Sequence, residues 1–206
     1  MKSVFYVILR FFLLWPLRLF FRIRRKGHKN EPKRADGPYL VCANHQSLLD
    51  PIFIALATKR QQPHFMAKAE LFRVPIISSL VRWLGAFPVS RGKGDVGAIK
   101  HTIGLLQSGR SVGMFPQGTR CPEKNPRDCK VRPGAGMIVA RAKVQVLPVH
   151  IRIKNYKWRL FRRVEVIIGE PIPFESFNYQ EGVAGEYNRI TEQIYEEICR
   201  LGEESK

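Results

Sequence analysis

Residues 39–56 read YLVCANHQSLLDPIFIAL, and this stretch decides the fold of the chain. Its first five residues form a short apolar run behind Gly37 and Pro38, a pattern typical of a buried strand. Asp50 and Pro51 then match the N-cap and the first position of a helix. A loop that leads from a strand end into a helix is where open α/β sheets place their chemistry.

His45 and Asp50 in this loop are the candidate catalytic residues. A histidine whose ring is oriented by a carboxylate can take a proton from a hydroxyl group. Five positions apart on one continuous helix, two side chains point about 140° apart, so this pair can meet only if the chain turns between them. The alternative is a structural role, in which Asp50 caps the helix and His45 satisfies backbone groups at the strand end.

The rest of the chain alternates strand-like and helix-like patterns. Strands are predicted over residues 39–43, 63–67, 86–90, 111–115, 145–151 and 164–169, and helices over 51–59, 75–84, 95–107, 136–142 and 186–201. This alternation predicts an α/β fold with a largely parallel or mixed sheet flanked by helices.

The composition limits the kind of partner. Of 206 residues, 35 are Lys or Arg and 17 are Asp or Glu, which gives a formal charge of +18. This excess predicts an anionic partner, either nucleic acid, an anionic membrane surface, or an acidic substrate or carrier. The four cysteines form no CxxC pair, so we predict reduced thiols and no metal site.

The N-terminal segment favours the membrane among these partners. Residues 4–21, VFYVILRFFLLWPLRLFF, are rich in aromatic and aliphatic side chains but contain Arg10, Pro16 and Arg18. A basic run follows at once, and aromatic residues beside cations are typical of a segment that lies in the membrane interface. We predict a monotopic anchor at the cytoplasmic face of the cell membrane. A short spanning helix, a signal peptide and a core helix are the alternatives.

Three further motifs fall at predicted strand ends. They are GAFPVSRG at residues 85–92, FPQGTR at residues 115–120, and the apolar VLPV at residues 146–149. A guanidinium group presents a rigid fork of donors that fits phosphate oxygens, and glycine lets the backbone approach an anion closely. Arg91 and Arg120 therefore form a candidate phosphate clamp, the alternative being that they are surface charges of a basic protein.

These motifs together resemble those of the glycerolipid acyltransferase family, whose central members are 1-acylglycerol-3-phosphate acyltransferases. The family's NHxxxxD motif matches residues 44–50, and its FPEGTR motif matches residues 115–120. Its second and fourth blocks match residues 85–91 and 146–149. The four blocks keep their order over residues 40–150, which makes the resemblance specific.

Three further details bear on the match, one in its favour and two that concern differences. Residues 67–71, AKAEL, are similar to a basic segment that the family carries between its first two blocks. Gln117 stands where the family usually has glutamate, which removes a carboxylate beside the predicted phosphate site. The charged stretch 121–132 is interpreted as a solvated loop.

The resemblance implies acyl transfer from a thioester to the free hydroxyl of 1-acylglycerol-3-phosphate, giving phosphatidic acid. His45 would be the general base and Asp50 its partner. The acceptor phosphate would be bound by Arg120, Arg91, Lys68, Gly118, Thr119 and Gln117. No metal or cofactor is expected, since acyl-CoA or acyl-carrier protein enters as a substrate. Glycerol 3-phosphate or another lysophospholipid is the alternative acceptor.

The predicted organisation is therefore a membrane anchor over residues 1–26, a linker over 27–37 and an acyltransferase domain over 38–206. Its partners would be an anionic membrane surface, a lysophospholipid acceptor and the acyl donor. The alternative from another class is a basic nucleic-acid-binding module. No nucleic-acid-binding signature is present in the sequence, so no nucleic acid partner is predicted.

Overall fold

A computed structural model describes residues 22–83, 85–89, 96–157, 159 and 161–204, with only the backbone given for residues 76, 77, 80 and 83. Residues 1–21, most of the predicted anchor, lie outside this range, so the anchor stays a prediction. No helix in the described part of the chain combines the length and the apolar character that a membrane span needs.

Seven strands form one sheet in the described part of the chain. They are β1 (Arg24–Lys26), β2 (Tyr39–Ala43), β3 (His64–Lys68), β4 (Phe87–Val89), β5 (Val112–Met114), β6 (Gln145–Ile153) and β7 (Val164–Ile168). Their order across the sheet is β1-β7-β6-β2-β5-β3-β4. All neighbours are parallel except β6 and β7, which run antiparallel. The predicted α/β fold with a mixed sheet is confirmed.

The helices alternate with the parallel strands, as the sequence pattern predicts. They are α1 (Asp50–Ala57), α2 (Pro75–Trp83), α3 (Val96–Gln107), α4 (Gly134–Ala142) and α5 (Glu186–Glu204). Most observed bounds lie within two residues of the predicted ones, and the largest difference is at the end of α5, which extends three residues further.

The core lies on both faces of the sheet, because side chains alternate along a strand. In β2, Leu40 and Cys42 pack with apolar side chains of α3, α4 and α5. Tyr39 and Val41 point to the opposite face and pack with Phe53 of α1. All five residues of β2 are fully buried. Burial of each large apolar side chain among them stabilises the fold by about 1.5–3 kcal/mol. β2 is therefore held rigidly, and so is the loop that follows it.

Residues 24–26, at the end of the predicted anchor segment, form the edge strand β1. They pair in parallel with β7, and Lys26 lies 3.5 Å from the carboxylate of Glu165. The segment Arg24–Lys26 carries no apolar residue, so only its pairing partner defines it as a strand. A charged edge strand of this kind also discourages pairing with other chains.

The predicted linker, residues 27–37, is packed against the domain. It contains two short 3-10 turns, with Glu31 between them. The carboxylate of Glu31 is 1% exposed and accepts hydrogen bonds from the main-chain N–H groups of Lys59 and Arg60, at 3.0 and 2.7 Å. This carboxylate thus satisfies backbone donors just beyond α1, and it ties the segment to that end of the helix.

Candidate active site

The candidate site lies at the carboxyl edge of the parallel strands. β2, β3 and β5 are neighbours and run in the same direction, so their carboxyl ends meet at one edge. His45 follows β2, Lys68 is the last residue of β3, and the FPQGTR motif, residues 115–120, follows β5. Three motifs that are far apart in sequence are therefore neighbours here.

His45 and Asp50 are in direct contact. Nδ1 of His45 lies 2.8 Å from Oδ2 of Asp50, and the carboxylate is fully buried. The chain makes the predicted turn between them, since the N–H of Asp50 bonds to the carbonyl of Ser47. With Nδ1 engaged, Nε2 is the ring nitrogen left to face a substrate, and it bonds to no residue that the structure describes.

Asp50 does not cap α1, and that detail of the sequence analysis is wrong. The N-cap is Leu49, and Asp50 is the first residue of the helix. Its Oδ2 accepts hydrogen bonds from the main-chain N–H groups of Gln46 and Ser47, at 2.6 and 2.7 Å, in addition to the histidine ring. The carboxylate therefore organises the loop before the helix, and it holds the imidazole in one orientation.

The FPQGTR motif, residues 115–120, supports His45 from two sides. The ring of Phe115 stacks on the imidazole, with centroids 3.9 Å apart and planes 12° from parallel. Oε1 of Gln117, a residue 1% exposed, accepts the main-chain N–H of His45 at 2.7 Å. The carbonyl of His45 accepts the N–H of Cys121 at 2.8 Å. Backbone and ring are thus both fixed by the segment after β5.

Asn44 fixes the residue before the histidine. Its side-chain Nδ2 donates to the carbonyl of Ile151 at 3.0 Å, and its Oδ1 accepts the N–H of the same residue at 2.7 Å. These two bonds extend the ladder between β2 and β6 by one side chain. The asparagine of the first motif therefore has a structural reason to precede the histidine.

His45 lines a cleft of about 550 Å³. The walls are mostly apolar, and they include Leu48, Met66, Leu71, Val89, Ile99, Met114, Phe115 and Ile138. The lining also contains two cations and two small residues, namely Lys68, Arg132, Gly118 and Thr119. An apolar cleft with a few charged groups suits an amphipathic ligand.

The predicted phosphate-binding cations are placed differently from one another. Lys68 lines the cleft, but its ammonium lies 3.1 Å from the carboxylate of Glu70, and half of its side chain is exposed. Arg120 is exposed and is not part of the described cleft wall. Arg91 lies outside the described residues. Of the two cations that the structure describes, Lys68 lies at the cleft and Arg120 does not.

The other predicted phosphate-binding residues differ in the same way. Thr119 and Gly118 line the cleft, but the N–H of Gly118 donates to the carbonyl of Phe115 at 2.9 Å and is committed to that turn. Gln117 is buried behind His45, and its side chain reaches the histidine backbone. The replacement of glutamate by glutamine at position 117 therefore affects the residue that holds the His45 backbone.

Arg132 is the cleft residue that the sequence analysis missed. It is exposed, at the end of the charged stretch interpreted as a solvated loop, and it also lines the cleft together with His45. The signal in the sequence is weak, a cation just ahead of the Pro133-Gly134 pair that opens α4.

Burial disfavours the ionised form of two thiols, those of Cys42 and Cys129. Burial raises the pKa of Cys129 to about 11, and burial raises the pKa of Cys42 far above its ordinary value. Since the thiolate is the reactive form of cysteine, neither residue is a suitable nucleophile.

Comparisons with known proteins identify the family of this chain. Residues 23–152 match the family model described as Acyltransferase. The 1-acyl-sn-glycerol-3-phosphate acyltransferase of Streptococcus pneumoniae is 37% identical over 176 residues, covering 83% of this chain and 63% of that protein. The Bacillus subtilis protein of the same name is 31% identical over 176 residues, covering 83% of this chain and 86% of that protein.

A solved structure shares the fold. The 1-acyl-sn-glycerophosphate acyltransferase PlsC from Thermotoga maritima matches with a TM-score of 0.67 and 29% sequence identity, over 91% of this chain and 73% of that one. The chain spans less than two thirds of the length of the Streptococcus pneumoniae relative. Because the family model covers well over half of the residues and includes the whole His45 site, the chain belongs to the acyltransferase family.

Proposed function

We propose that this protein transfers a fatty acyl group from an acyl thioester to the free hydroxyl of 1-acylglycerol-3-phosphate, giving phosphatidic acid. The observation that supports this most is the 2.8 Å contact between His45 and Asp50 in the wall of an apolar cleft. The names of the relatives support the choice of acceptor.

His45 would act as general base and then as general acid. Nε2 takes the proton of the acceptor hydroxyl while its oxygen attacks the thioester carbonyl. When the tetrahedral intermediate collapses, the C–S bond breaks and the imidazolium returns its proton to the departing thiolate. Asp50 would stabilise the imidazolium through Nδ1, and it is positioned for this by two main-chain N–H groups.

No covalent enzyme intermediate is needed in this scheme. A thioester is already activated, so a correctly placed hydroxyl and base are sufficient. The raised pKa values of the Cys42 and Cys129 thiols agree with direct transfer.

The cleft would hold the two halves of an amphipathic substrate. Its apolar walls suit an acyl chain, and the cations at its rim suit a phosphate. Lys68 lines this rim, while Arg91 and Arg120 stay candidates on the sequence alone. The acyl chain and the lysolipid acceptor both partition into a bilayer, so we propose that the protein works at an anionic membrane surface on the cytoplasmic side. The charge of +18 supports this placement.

A radiolabelled acyl-transfer assay tests the proposal. The purified full-length chain, in mixed micelles, would be given acyl-CoA or acyl-carrier protein with lysophosphatidate, glycerol 3-phosphate or lysophosphatidylcholine in parallel. We expect phosphatidic acid from lysophosphatidate to be the fastest product with at least one donor. A preparation of the His45→Ala variant controls for contaminating enzymes. Faster transfer to either of the other acceptors would overturn the proposed substrate.

A further inference from the structure

We infer that Arg132 binds the phosphate of the acceptor at the wall of the cleft. This inference rests on the proposed function, and it assigns a specificity-determining residue to that same site. Neither the charge pattern nor the matched motifs single out this arginine, because the charged stretch that ends with it predicts only a solvated loop.

Two contacts fix Arg132 to the FPQGTR motif. Its main-chain N–H donates to the carbonyl of Pro116 at 2.9 Å. Its side-chain stem lies over Gly118, so closely that a Cβ on this glycine would stand 2.9 Å from Cδ of the arginine. Gly118 also has a φ of +67°, a conformation that favours glycine. The glycine thus leaves the space that the arginine stem occupies.

The guanidinium of Arg132 keeps its charge available. Among the residues that the structure describes, no carboxylate pairs with it and no acceptor takes a hydrogen bond from its side chain. Three other described arginines, Arg127, Arg189 and Arg200, are instead ion-paired with glutamates. An unpaired guanidinium held at a cleft wall offers a fork of N–H donors that fits a phosphate.

Coenzyme A also carries phosphate groups. The distance between the phosphate and the reacting group nevertheless favours the acceptor as the ligand of Arg132. In 1-acylglycerol-3-phosphate the phosphate and the reacting hydroxyl sit on neighbouring carbons. In acyl-CoA a long pantetheine arm separates the thioester from the phosphates. Arg132 and His45 line the same cleft, as a substrate with its phosphate next to the reacting hydroxyl requires.

Steady-state kinetics of Arg132→Ala and Arg132→Lys test the inference, with lysophosphatidate and acyl-CoA each varied in turn. We expect Arg132→Ala to raise the KM for lysophosphatidate at least tenfold, with the KM for acyl-CoA changed less than twofold. Lysine should restore part of the affinity, because it keeps the charge but loses the fork. Glycerol 3-phosphate, used as a competitive inhibitor, should lose affinity for Arg132→Ala in parallel.

Arg110→Ala is the matched control. This exposed arginine precedes β5 and lies at the opposite edge of the sheet from the cleft, so both KM values should stay at the wild-type level. A folded Arg132→Ala protein with a wild-type KM for lysophosphatidate would overturn the inference. So would a rise confined to the KM for acyl-CoA, which would assign Arg132 to the donor. If wild type and Arg110→Ala both fail to acylate lysophosphatidate, the proposed function itself fails.

Discussion

The main-chain N–H of His45 donates a 2.7 Å hydrogen bond to Oε1 of Gln117, a side chain 72 residues further along the sequence. Both residues are buried, so water does not compete for this bond. This hydrogen bond joins the NHxxxxD motif to the FPQGTR motif, and it holds the histidine backbone beside the cleft. The amide at position 117 therefore positions the candidate base, and its role can be separated from phosphate binding.

Replacing Gln117 by leucine or glutamate should have different effects on turnover. Leucine leaves the buried N–H of His45 without an acceptor, which costs about 1–3 kcal/mol. Glutamate keeps an oxygen at the same place. We expect Gln117→Leu to lower kcat at least tenfold, with Gln117→Glu closer to wild type and the KM for the acceptor little changed in both. Equal kcat values for the two variants would show that the hydrogen bond does not position His45.

Asp50→Asn should lower kcat while preserving the fold. The amide oxygen can still accept the N–H groups of Gln46 and Ser47, but the charge that would stabilise the imidazolium is lost. General base catalysis of this type is worth about 10²–10⁴ in rate, so we expect a loss in that range. Thermal unfolding should confirm that the variant is folded. A folded Asp50→Asn protein within tenfold of the wild-type kcat would speak against the dyad.

Gly136→Ala should destabilise the protein although alanine is the better helix former. A Cβ at Gly136 would lie 2.1 Å from the carbonyl oxygen of Tyr187, so α4 and α5 would have to separate. The N–H of Gly136 also donates to Oγ1 of Thr191 at 2.8 Å, a bond that this separation would break. We expect a loss of about 1–3 kcal/mol in the free energy of unfolding, measured with urea.

The control for this prediction is Gly104→Ala in α3. A Cβ there would meet no atom within 4 Å, and its φ lies outside the left-handed region. Alanine should then stabilise the protein by about 0.5–1 kcal/mol. If both alanine variants gained stability, the close approach of α4 and α5 would be refuted.

His150 should make the protein less stable in acid. Burial beneath α5 lowers the pKa of its ring from 6.5 to about 4, while Nδ1 donates to the carbonyl of Ile198 at 2.9 Å. The unfolded chain therefore binds the proton at a higher pH than the folded chain. The associated stability is fully present above pH 6.5 and is lost as the pH falls towards 4. The gap between the two pKa values corresponds to about 3 kcal/mol.

Urea unfolding of wild type and His150→Gln over this pH range measures the effect. The free energy of unfolding of the variant should fall less steeply between pH 6.5 and 4. The neighbouring charges of Arg152 and Glu203 are common to both proteins, so they cancel in the comparison. Parallel curves would mean that His150 does not titrate in this range.

The sequence predicts the central part of the fold because its signals there are local. Residues 39–43 form an apolar run whose strand is buried on both faces, and Pro51 marks the next helix within one residue. The contact of His45 with Asp50 also follows locally, from a turn between two residues close in sequence.

Other features could not be predicted because they depend on distant partners. The segment Arg24–Lys26 has no strand pattern of its own, and it becomes β1 only through its pairing with β7. Arg132 enters the cleft because its stem packs over Gly118 and its backbone bonds to Pro116. The role of Gln117 depends on a hydrogen bond to a residue in another motif. These contacts form only when distant segments of the chain come together at the sheet edge, so a local sequence pattern does not predict them.

The most direct test of the central claim is the kcat of His45→Ala with lysophosphatidate and the preferred acyl thioester, both saturating. If the imidazole held by Asp50 is the general base, kcat should fall at least 10²-fold while thermal unfolding and the KM for the acceptor stay close to wild type. A folded His45→Ala protein that forms phosphatidic acid within tenfold of the wild-type rate would contradict the account.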